Sequence, residues 1–348
     1  MLFNLEYDDG SLIVGWAVAD GVSTSLDLRV CAGGEDILIL RADEDKPGIV
    51  AYGRHETGAC GFRLSIAQIP NLADLHDLEI YECSSGLLIY RRFRPGFLHK
   101  KILRLETSLL PLWRLDNSIS LFFQYTLSNI EKYGKETTTE VFQLRNIPSV
   151  YLNGRILFSN YSYYIESNFE CITVLQDPYE EMAERILILS HMQHGNLSHL
   201  GERDIVSLQP AVAYFAKIDI SDEAAVHRAF KLLPEEVGAL LADPLVRQLT
   251  TTVPGERAGR RSVTASLDVL ASFAIVSLRS ESDRFIDGCA ELLGIEPSAL
   301  PPIPGNGKVP VLAGMLRRSN DAGYLIEKDR ELFSYISDAY KKASDIHA

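Results

Sequence analysis

Residues 171–181 read CITVLQDPYEE and carry the clearest signal for the fold of the larger part of the chain. Its first five residues are mostly apolar, which predicts a strand buried on both faces, as in a parallel sheet. Asp177 suits the N-cap of a following helix, Pro178 its first position, and Glu180 the third position of a capping box. A strand that turns directly into a helix predicts a parallel sheet covered by helices.

The sequence on either side of this stretch continues the alternation of strands and helices. Further strands are predicted at 149–158 and 273–278, and helices at 178–189, 222–242, 263–272, 284–293 and 325–342. Residues 91–110 are basic and predict a linker followed by a helix. This segment is either a solvated connector or an anion-binding rim formed by Arg91, Arg92, Arg94, Lys100, Lys101 and Arg104.

The first ninety residues follow a different pattern, in which apolar residues recur at every second position. Alternating sets begin at Leu12, Leu26 and Cys60, and turn signals such as Asp-Gly at 9–10 and Gly-Gly at 33–34 separate them. Short strands with such turns predict a β-sandwich or a small barrel. We therefore predict an α/β chain of two domains, with a small all-β sandwich module at 1–90 and an α/β domain at 91–348.

Composition excludes several classes of protein. The 348 residues carry a formal net charge of −13, which disfavours a broad basic surface for nucleic acid. The apolar runs are too short to span a bilayer and the N-terminus lacks signal-peptide features, so we expect a cytoplasmic protein with no integral membrane segment. The five cysteines form no CxxC pair, and His199 does not share a helical face with His191 and His194. No metal is therefore expected.

Five segments between residues 150 and 340 resemble, in order, motifs of sulfotransferases. They are YLNGR at 151–155, the strand ending in QDP at 176–178, LVRQLT at 245–250, FAIVSLRSESDRF at 273–285 and IEKDRELF at 326–333. This resemblance implies a parallel-sheet, P-loop-like sulfotransferase-type domain and phosphoadenosine phosphosulfate as the donor. Residues 15–20 and 58–64 resemble a β-sandwich module of bacterial proteins for surface-polysaccharide assembly.

The resemblance also implies where donor and acceptor would bind. The family's donor loop has a lysine and hydroxyl residues after the first strand of the sheet, and the candidates here are Lys135, Thr137, Thr138 and Thr139; a weaker alternative is 97–101 with Thr107 and Ser108. Gln176 and Asp177 stand at the 3′-phosphate element. Arg155, with Lys135, takes the catalytic position and contacts the acceptor, and Arg247, Arg257, Arg260 and Arg261 would line the substrate, the last three in a loop that could cover an acidic sugar.

Three departures from the family pattern affect the donor and catalytic positions. Gln176 is neutral where the family has an arginine, and Glu184 is acidic where it has a serine eight residues later. Arg155 replaces a histidine and cannot act as a general base, and the candidate donor loop lacks its internal glycine. Two hypotheses follow. The chain is a divergent sulfotransferase-like transferase acting on a bacterial surface polysaccharide or glycolipid, or it is a non-catalytic scaffold that binds a glycan or assists assembly.

Overall fold

The computed structural model describes residues 1–21, 24–192 and 199–347. Its strands are β1 (Leu2–Asp8), β2 (Leu12–Val18), β3 (Leu26–Ala32), β4 (Glu35–Ala42), β5 (Glu44–Asp45), β6 (Ala59–Ser65), β7 (Glu79–Glu82), β8 (Leu88–Arg91), β9 (Lys101–Leu105), β10 (Tyr125–Leu127), β11 (Val150–Gly154), β12 (Glu170–Leu175) and β13 (Ile275–Leu278). Its helices are α1 (Pro47–Ala51), α2 (Trp113–Ser120), α3 (Lys135–Phe142), α4 (Ser162–Asn168), α5 (Pro178–His191), α6 (Glu202–Phe215), α7 (Glu223–Lys231), α8 (Glu235–Leu241), α9 (Pro244–Thr250), α10 (Ser262–Ala271), α11 (Ser282–Leu293), α12 (Lys308–Arg317), α13 (Asn320–Leu325) and α14 (Glu327–His347).

The N-terminal strands form two four-stranded antiparallel sheets. Their orders are β1-β2-β6-β5 and β4-β3-β7-β8. The alternation seen in the sequence sets which side chains are buried, because every second residue of a strand points to the same face. Phe3, Ile13, Val30, Phe62 and Ile80 are buried in this way. The prediction of a sandwich-like antiparallel arrangement is confirmed.

A five-stranded parallel sheet follows, in the order β10-β11-β9-β12-β13. Ile172 of β12 pairs with Ile275 of β13 and with Arg104 of β9, and both pairings are parallel. The apolar run at 171–175 is therefore a buried parallel strand, as predicted. The chain has the mixed α/β composition that the sequence predicts.

The prediction of a helix within residues 91–110 is wrong. Residues 101–105 instead form β9, the central strand of the parallel sheet, and helix α2 begins only at Trp113. Arg104 is completely buried within β9, so it cannot belong to a solvent-facing anion rim. Ile102, Leu103 and Leu105 surround it and favour a buried strand.

The chain divides into two compact units. The first consists of residues 1–101, 119–128 and 133–152, and the second of residues 102–118, 129–132 and 153–348. In the second unit, α5 packs against α6 and α12 and buries Met182, Ile186 and Leu312. Within the described ranges, no helix combines the length and the apolar character needed to cross a membrane.

Candidate functional site

The carboxyl ends of β9 and β12 meet at one edge of the parallel sheet. β9 comes first in the chain among these strands yet stands in the middle of the sheet, so the strand order reverses beside it. Such a reversal opens a crevice outside the carboxyl ends of the strands, where open α/β sheets bind ligands. The turns that follow β9 and β12 are therefore the place to look for a functional site.

The carboxylate of Glu106 fills the turn after β9. Its Oε1 accepts hydrogen bonds from the backbone N–H groups of Thr107 (3.0 Å) and Ser108 (3.1 Å), and its Oε2 accepts from the N–H of Leu112 (3.1 Å). Converging backbone N–H groups are what an anion-binding loop provides. Here the anion is a side chain of the loop itself.

Arg104 holds this carboxylate from the strand below. Its Nε and Nη2 donate to the two carboxylate oxygens of Asp116, at 2.6 and 2.7 Å, and its Nη1 forms an ion pair with Glu106 Oε2 at 2.9 Å. The two-pronged bond to Asp116 uses the planar fork of the guanidinium. Gln248 Nε2 also donates to the backbone carbonyl of Glu106, at 2.7 Å. The turn is thus fixed by both its side chain and its backbone.

The turn after β12 is also occupied by its own carboxylate. Asp177 Oδ1 accepts from the N–H groups of Tyr179 (3.0 Å) and Glu180 (3.3 Å), which confirms the predicted N-cap. Arg317 Nη2 donates to the same oxygen at 2.7 Å. The N–H groups that could receive a phosphate at this helix are therefore already used. Beside them Gln176 is buried, and its Oε1 has no hydrogen-bond partner among the described residues.

A cavity of about 130 Å³ opens next to these turns in the second unit. Leu110, Trp113, Glu184, Arg279 and residues 302–306 are among those that line it. Glu184 is only 5% exposed, and its Oε2 finds no hydrogen-bond partner in the described part of the chain. Burial raises the pKa of Glu184 to about 7, although nearby Arg279 opposes this shift.

Arg279 and Trp113 give the cavity a cationic and an aromatic wall. Arg279 Nη2 donates to the carbonyl of Pro304 at 2.9 Å, and Arg279 forms no ion pair with a described carboxylate. The Trp113 side chain is 57% exposed, and Arg114 lies 5.7 Å from the centre of its ring system. Neither Trp113 nor Arg279 is among the site residues that the sequence predicts.

The candidate donor loop at Lys135, Thr137, Thr138 and Thr139 lies in helix α3 of the first unit. Thr137 donates to Asp20 Oδ2 at 2.8 Å and accepts from the amino group of Met1. Thr138 and Thr139 donate to backbone carbonyls one turn earlier, at 3.1 and 2.8 Å. These hydroxyls thus bond within the first unit, whereas the alternative candidates Thr107 and Ser108 follow the central strand.

Arg155 is held between two carboxylates. Its Nη2 lies 2.6 Å from Asp204 Oδ2 and 3.3 Å from Glu131 Oε1, and its backbone N–H donates to Glu131 Oε2 at 2.9 Å. Burial alone would lower the pKa of Arg155. The carboxylates of Glu131 and Asp204 raise it by more than burial lowers it, so the net shift of the pKa is upward. A Cβ at Gly154 would collide with the Glu131 carboxylate, which explains the glycine there. The charge of Arg155 is compensated within the protein.

The other predicted substrate arginines lie elsewhere in the second unit. Arg247 donates to the carbonyls of Ala239 and Ala242 and lines, with Arg257, a second cavity of about 480 Å³. Burial lowers the pKa of Arg247. Arg257 pairs with Glu235 at 2.9 Å, whereas Arg260 and Arg261 are exposed and do not line this cavity.

Sequence reasoning missed the central role of Glu106, Arg104 and Asp116. A signal was present, because Arg104 stands inside the apolar run at 102–105, and the polar residues Glu106, Thr107 and Ser108 follow it directly. Charged residues inside a buried strand need partners, and a polar turn after such a strand is a place for them.

Metal ligands do not converge in the described ranges, where no group of three or more His, Cys, Asp and Glu side chains could hold a metal ion. His194 of the histidine set lies outside the described residues. Comparison of the chain with protein-family models, with curated proteins and with solved structures gives no match to any of them.

Proposed function

We propose that the chain is a glycan-binding or assembly scaffold on a sulfotransferase-like fold, and that it does not use phosphoadenosine phosphosulfate. The observation that carries this proposal is the Glu106 carboxylate, which accepts three backbone N–H groups in the turn after the first strand of the parallel sheet. The sulfotransferases that the chain resembles cradle their donor at the corresponding turn. Here no donor group can use these N–H groups unless Glu106 leaves.

Electrostatics add to this occupation. A phosphate next to Glu106 would meet a repulsion of about 1 kcal/mol for each pair of unit charges at 4 Å in water, and about 4 kcal/mol at an effective dielectric constant of 20. Asp177 and Glu180 lie at the second turn, where the family's phosphate-binding arginine is replaced by Gln176. Both phosphate positions implied by the resemblance are therefore acidic or neutral.

Support for a glycan as the partner comes from two features. The N-terminal sheets are sandwich-like, and residues 15–20 and 58–64 resemble modules of surface-polysaccharide assembly. The lining of the cavity in the second unit includes the exposed indole of Trp113 and the polar residues Arg114, Glu184, Arg279 and Asn306. Aromatic rings with nearby polar groups suit ligands that have both apolar and hydroxylated faces.

One observation favours the alternative, a transferase with a different donor. Burial raises the pKa of Glu184 to about 7, and its buried Oε2, beside a cavity, has no hydrogen-bond partner in the part of the chain that the structure describes. A carboxyl group with a pKa near the working pH suits general acid–base catalysis. A transferase would then activate an acceptor hydroxyl through Glu184.

A thermal-shift titration with phosphoadenosine phosphate tests the proposal. The full chain should show no rise in Tm at millimolar ligand, since a ligand that does not bind the native state cannot stabilise it. E106A should instead gain a rise in Tm with phosphoadenosine phosphate, because the freed N–H groups and Arg104 then form an anion site. E202A, which removes an exposed carboxylate of α6, is the matched control and should behave like the unmodified chain.

A rise of several degrees for the unmodified chain would overturn the proposal. A folded E106A variant that binds no phosphate would show that the turn is not a blocked cradle. If E106A does not fold, E106Q tests the electrostatic part of the block, because it removes the charge but keeps an oxygen that can accept from the N–H groups. E106Q should show a rise in Tm smaller than that expected of E106A, and no rise at all would contradict the repulsion assigned to Glu106.

A further inference from the structure

We propose that the cavity bounded by Trp113, Glu184 and Arg279 binds one acidic sugar residue of a glycan. The sugar carboxylate would pair with Arg279 and one face of the ring would pack against Trp113. This inference rests on the proposed function, because it names the ligand class of the glycan-binding chain.

Arg279 supplies the reason for an acidic ligand. It lines the cavity, donates to the carbonyl of Pro304, and makes no ion pair with a carboxylate of the described residues. A guanidinium has five N–H donors in a planar fork that matches a carboxylate. The remaining donors of Arg279 can therefore receive the carboxylate of a ligand.

Glu184 supplies a second polar contact. Its buried Oε2 lacks a hydrogen-bond partner among the described residues, and a buried polar atom of this kind is stabilised when a ligand bonds to it. Arg279, Glu181, Glu106 and Arg185 are the charged groups that act on it. Burial is the largest influence on the pKa of Glu184, and Arg279 is the largest charged one and opposes it. Glu181 pairs with Arg185 at 2.6 Å, and Glu106 is held in its turn.

The charges on neighbouring helices are also compensated. Arg317 of α12 pairs with Asp177, and Asp204 of α6 pairs with Arg155. Because burial raises the pKa of Glu184 to about 7, the carboxyl group is partly protonated near neutrality. In that form it can donate a hydrogen bond to an anionic ligand instead of repelling it.

Size limits the ligand to one sugar residue. The cavity of about 130 Å³ is well below the roughly 300–1,000 Å³ typical of sites for drug-sized ligands, so it cannot enclose a nucleotide. Leu110, Pro302 and Ile303 contribute apolar walls, and the Trp113 indole lies exposed at the rim. Apolar walls together with the polar groups of Glu184 and Arg279 suit the two faces of a sugar ring.

Tryptophan fluorescence can report binding directly, because the chain has only two tryptophans, Trp16 and Trp113. In the W16F variant of the full chain, Trp113 is the sole indole. Titration with methyl β-D-glucuronide should give a saturable change, and methyl β-D-glucoside, which lacks the carboxylate, should bind at least tenfold more weakly. R279Q should weaken glucuronide binding about tenfold or more, whereas R284Q, on the same segment but with its guanidinium outside the cavity lining, should not.

The pH dependence of glucuronide affinity shows whether the protonation of Glu184 takes part in binding. Binding of the anion favours protonated Glu184, so affinity for the glucuronide should fall about tenfold between pH 6 and pH 8. E184Q stays neutral at both pH values and should remove this dependence. An unchanged pH dependence in E184Q would contradict the assigned role of Glu184.

The outcomes separate this inference from the proposed function. Equal binding of glucoside and glucuronide, the same signal with sodium acetate, or no saturable response at all would overturn the acidic-sugar site. If the sugar site is overturned in this way but phosphoadenosine phosphate still gives no thermal shift, the proposal of a closed donor turn at Glu106 is retained and only the sugar site is lost. If phosphoadenosine phosphate does bind, the proposed function falls, whichever sugar result is obtained.

Discussion

Two buried glutamates, Glu106 in the turn after β9 and Glu184 in helix α5, have opposite surroundings. Glu106 accepts three backbone N–H groups and pairs with Arg104, whereas one oxygen of Glu184 has no hydrogen-bond partner among the described residues and borders a cavity. Buried polar groups are normally satisfied, and a satisfied network fixes one conformation. The first carboxylate is therefore fixed by the turn it stabilises, whereas the second keeps an unused acceptor position, on which the proposed ligand contact depends.

The largest effect on this comparison should come from the ion-pair network behind Glu106. D116A removes the two hydrogen bonds that Asp116 accepts from Arg104, and it leaves a fully buried guanidinium with less compensation. Breaking a buried pair from one side costs about 3–5 kcal/mol of unfolding free energy. Urea denaturation followed by circular dichroism measures this loss.

The matched control is D338A on α14, whose carboxylate forms an exposed pair with Lys341 at 3.9 Å. Exposed pairs contribute about 0–1 kcal/mol, so this variant should unfold near the midpoint of the unmodified chain. Equal midpoints for D116A and D338A would mean that the Glu106 turn does not depend on the buried network. The contrast between Glu106 and Glu184 would then lose its physical basis.

The sequence predicted the general fold better than the site. Periodicity identified the antiparallel strands, the buried strand at 171–175 and the helix capped by Asp177, because each depends on neighbours in the chain. β9 was missed because an arginine in a sequence is typical of a surface position. Only the structure shows that Asp116, twelve positions later, pairs with Arg104 and allows its burial. The role of Glu106 was hidden for the same reason, since one of the N–H groups it accepts belongs to Leu112.

The site predictions from the resemblance depend on distances that sequence cannot supply. Lys135 and the following threonines fall in the first unit, whereas Gln176, Asp177 and Arg155 fall in the second. The substitution of Glu184 for a serine was visible in the sequence. The cavity beside it was not, because Trp113 and Arg279 are far apart along the chain.

The second effect concerns Glu184 itself and depends on pH. Its pKa is raised from 4.5 to about 7 in the folded chain, so the folded state holds a proton that the unfolded state has lost between these values. The contribution of Glu184 to stability therefore falls as pH rises from about 5 to 7, by up to about 3 kcal/mol. E184Q should be more stable than the unmodified chain at pH 8 and differ little at pH 5.

Urea midpoints at the two pH values measure this difference. E331Q, which changes an exposed glutamate of α14, serves as the control and should follow the unmodified chain. Burial also raises the pKa of Asp329 to about 7. Asp329 therefore adds the same dependence of unfolding free energy on pH to every variant and does not affect the comparison. A pH dependence that is identical in E184Q and the unmodified chain would show that Glu184 is ionised at pH 5, like an ordinary carboxylate.

The smallest effect should come from Asp177, which combines features of both glutamates. Its carboxylate is satisfied by Tyr179, Glu180 and Arg317, as Glu106 is by its turn, but it lies nearer to solvent. D177A removes an N-cap, which costs about 1 kcal/mol, and the exposed pair with Arg317 adds little. D222A removes the N-cap of α7, where the aspartate accepts one hydrogen bond from Ala224, and should cost no more than D177A.

The same variant also compares the two turns as anion sites. Because Glu180 remains beside the freed N–H groups, D177A should not gain the phosphate binding expected for E106A. A clear rise in the Tm of D177A with phosphoadenosine phosphate would show instead that the second turn, and not the first, is the blocked anion site.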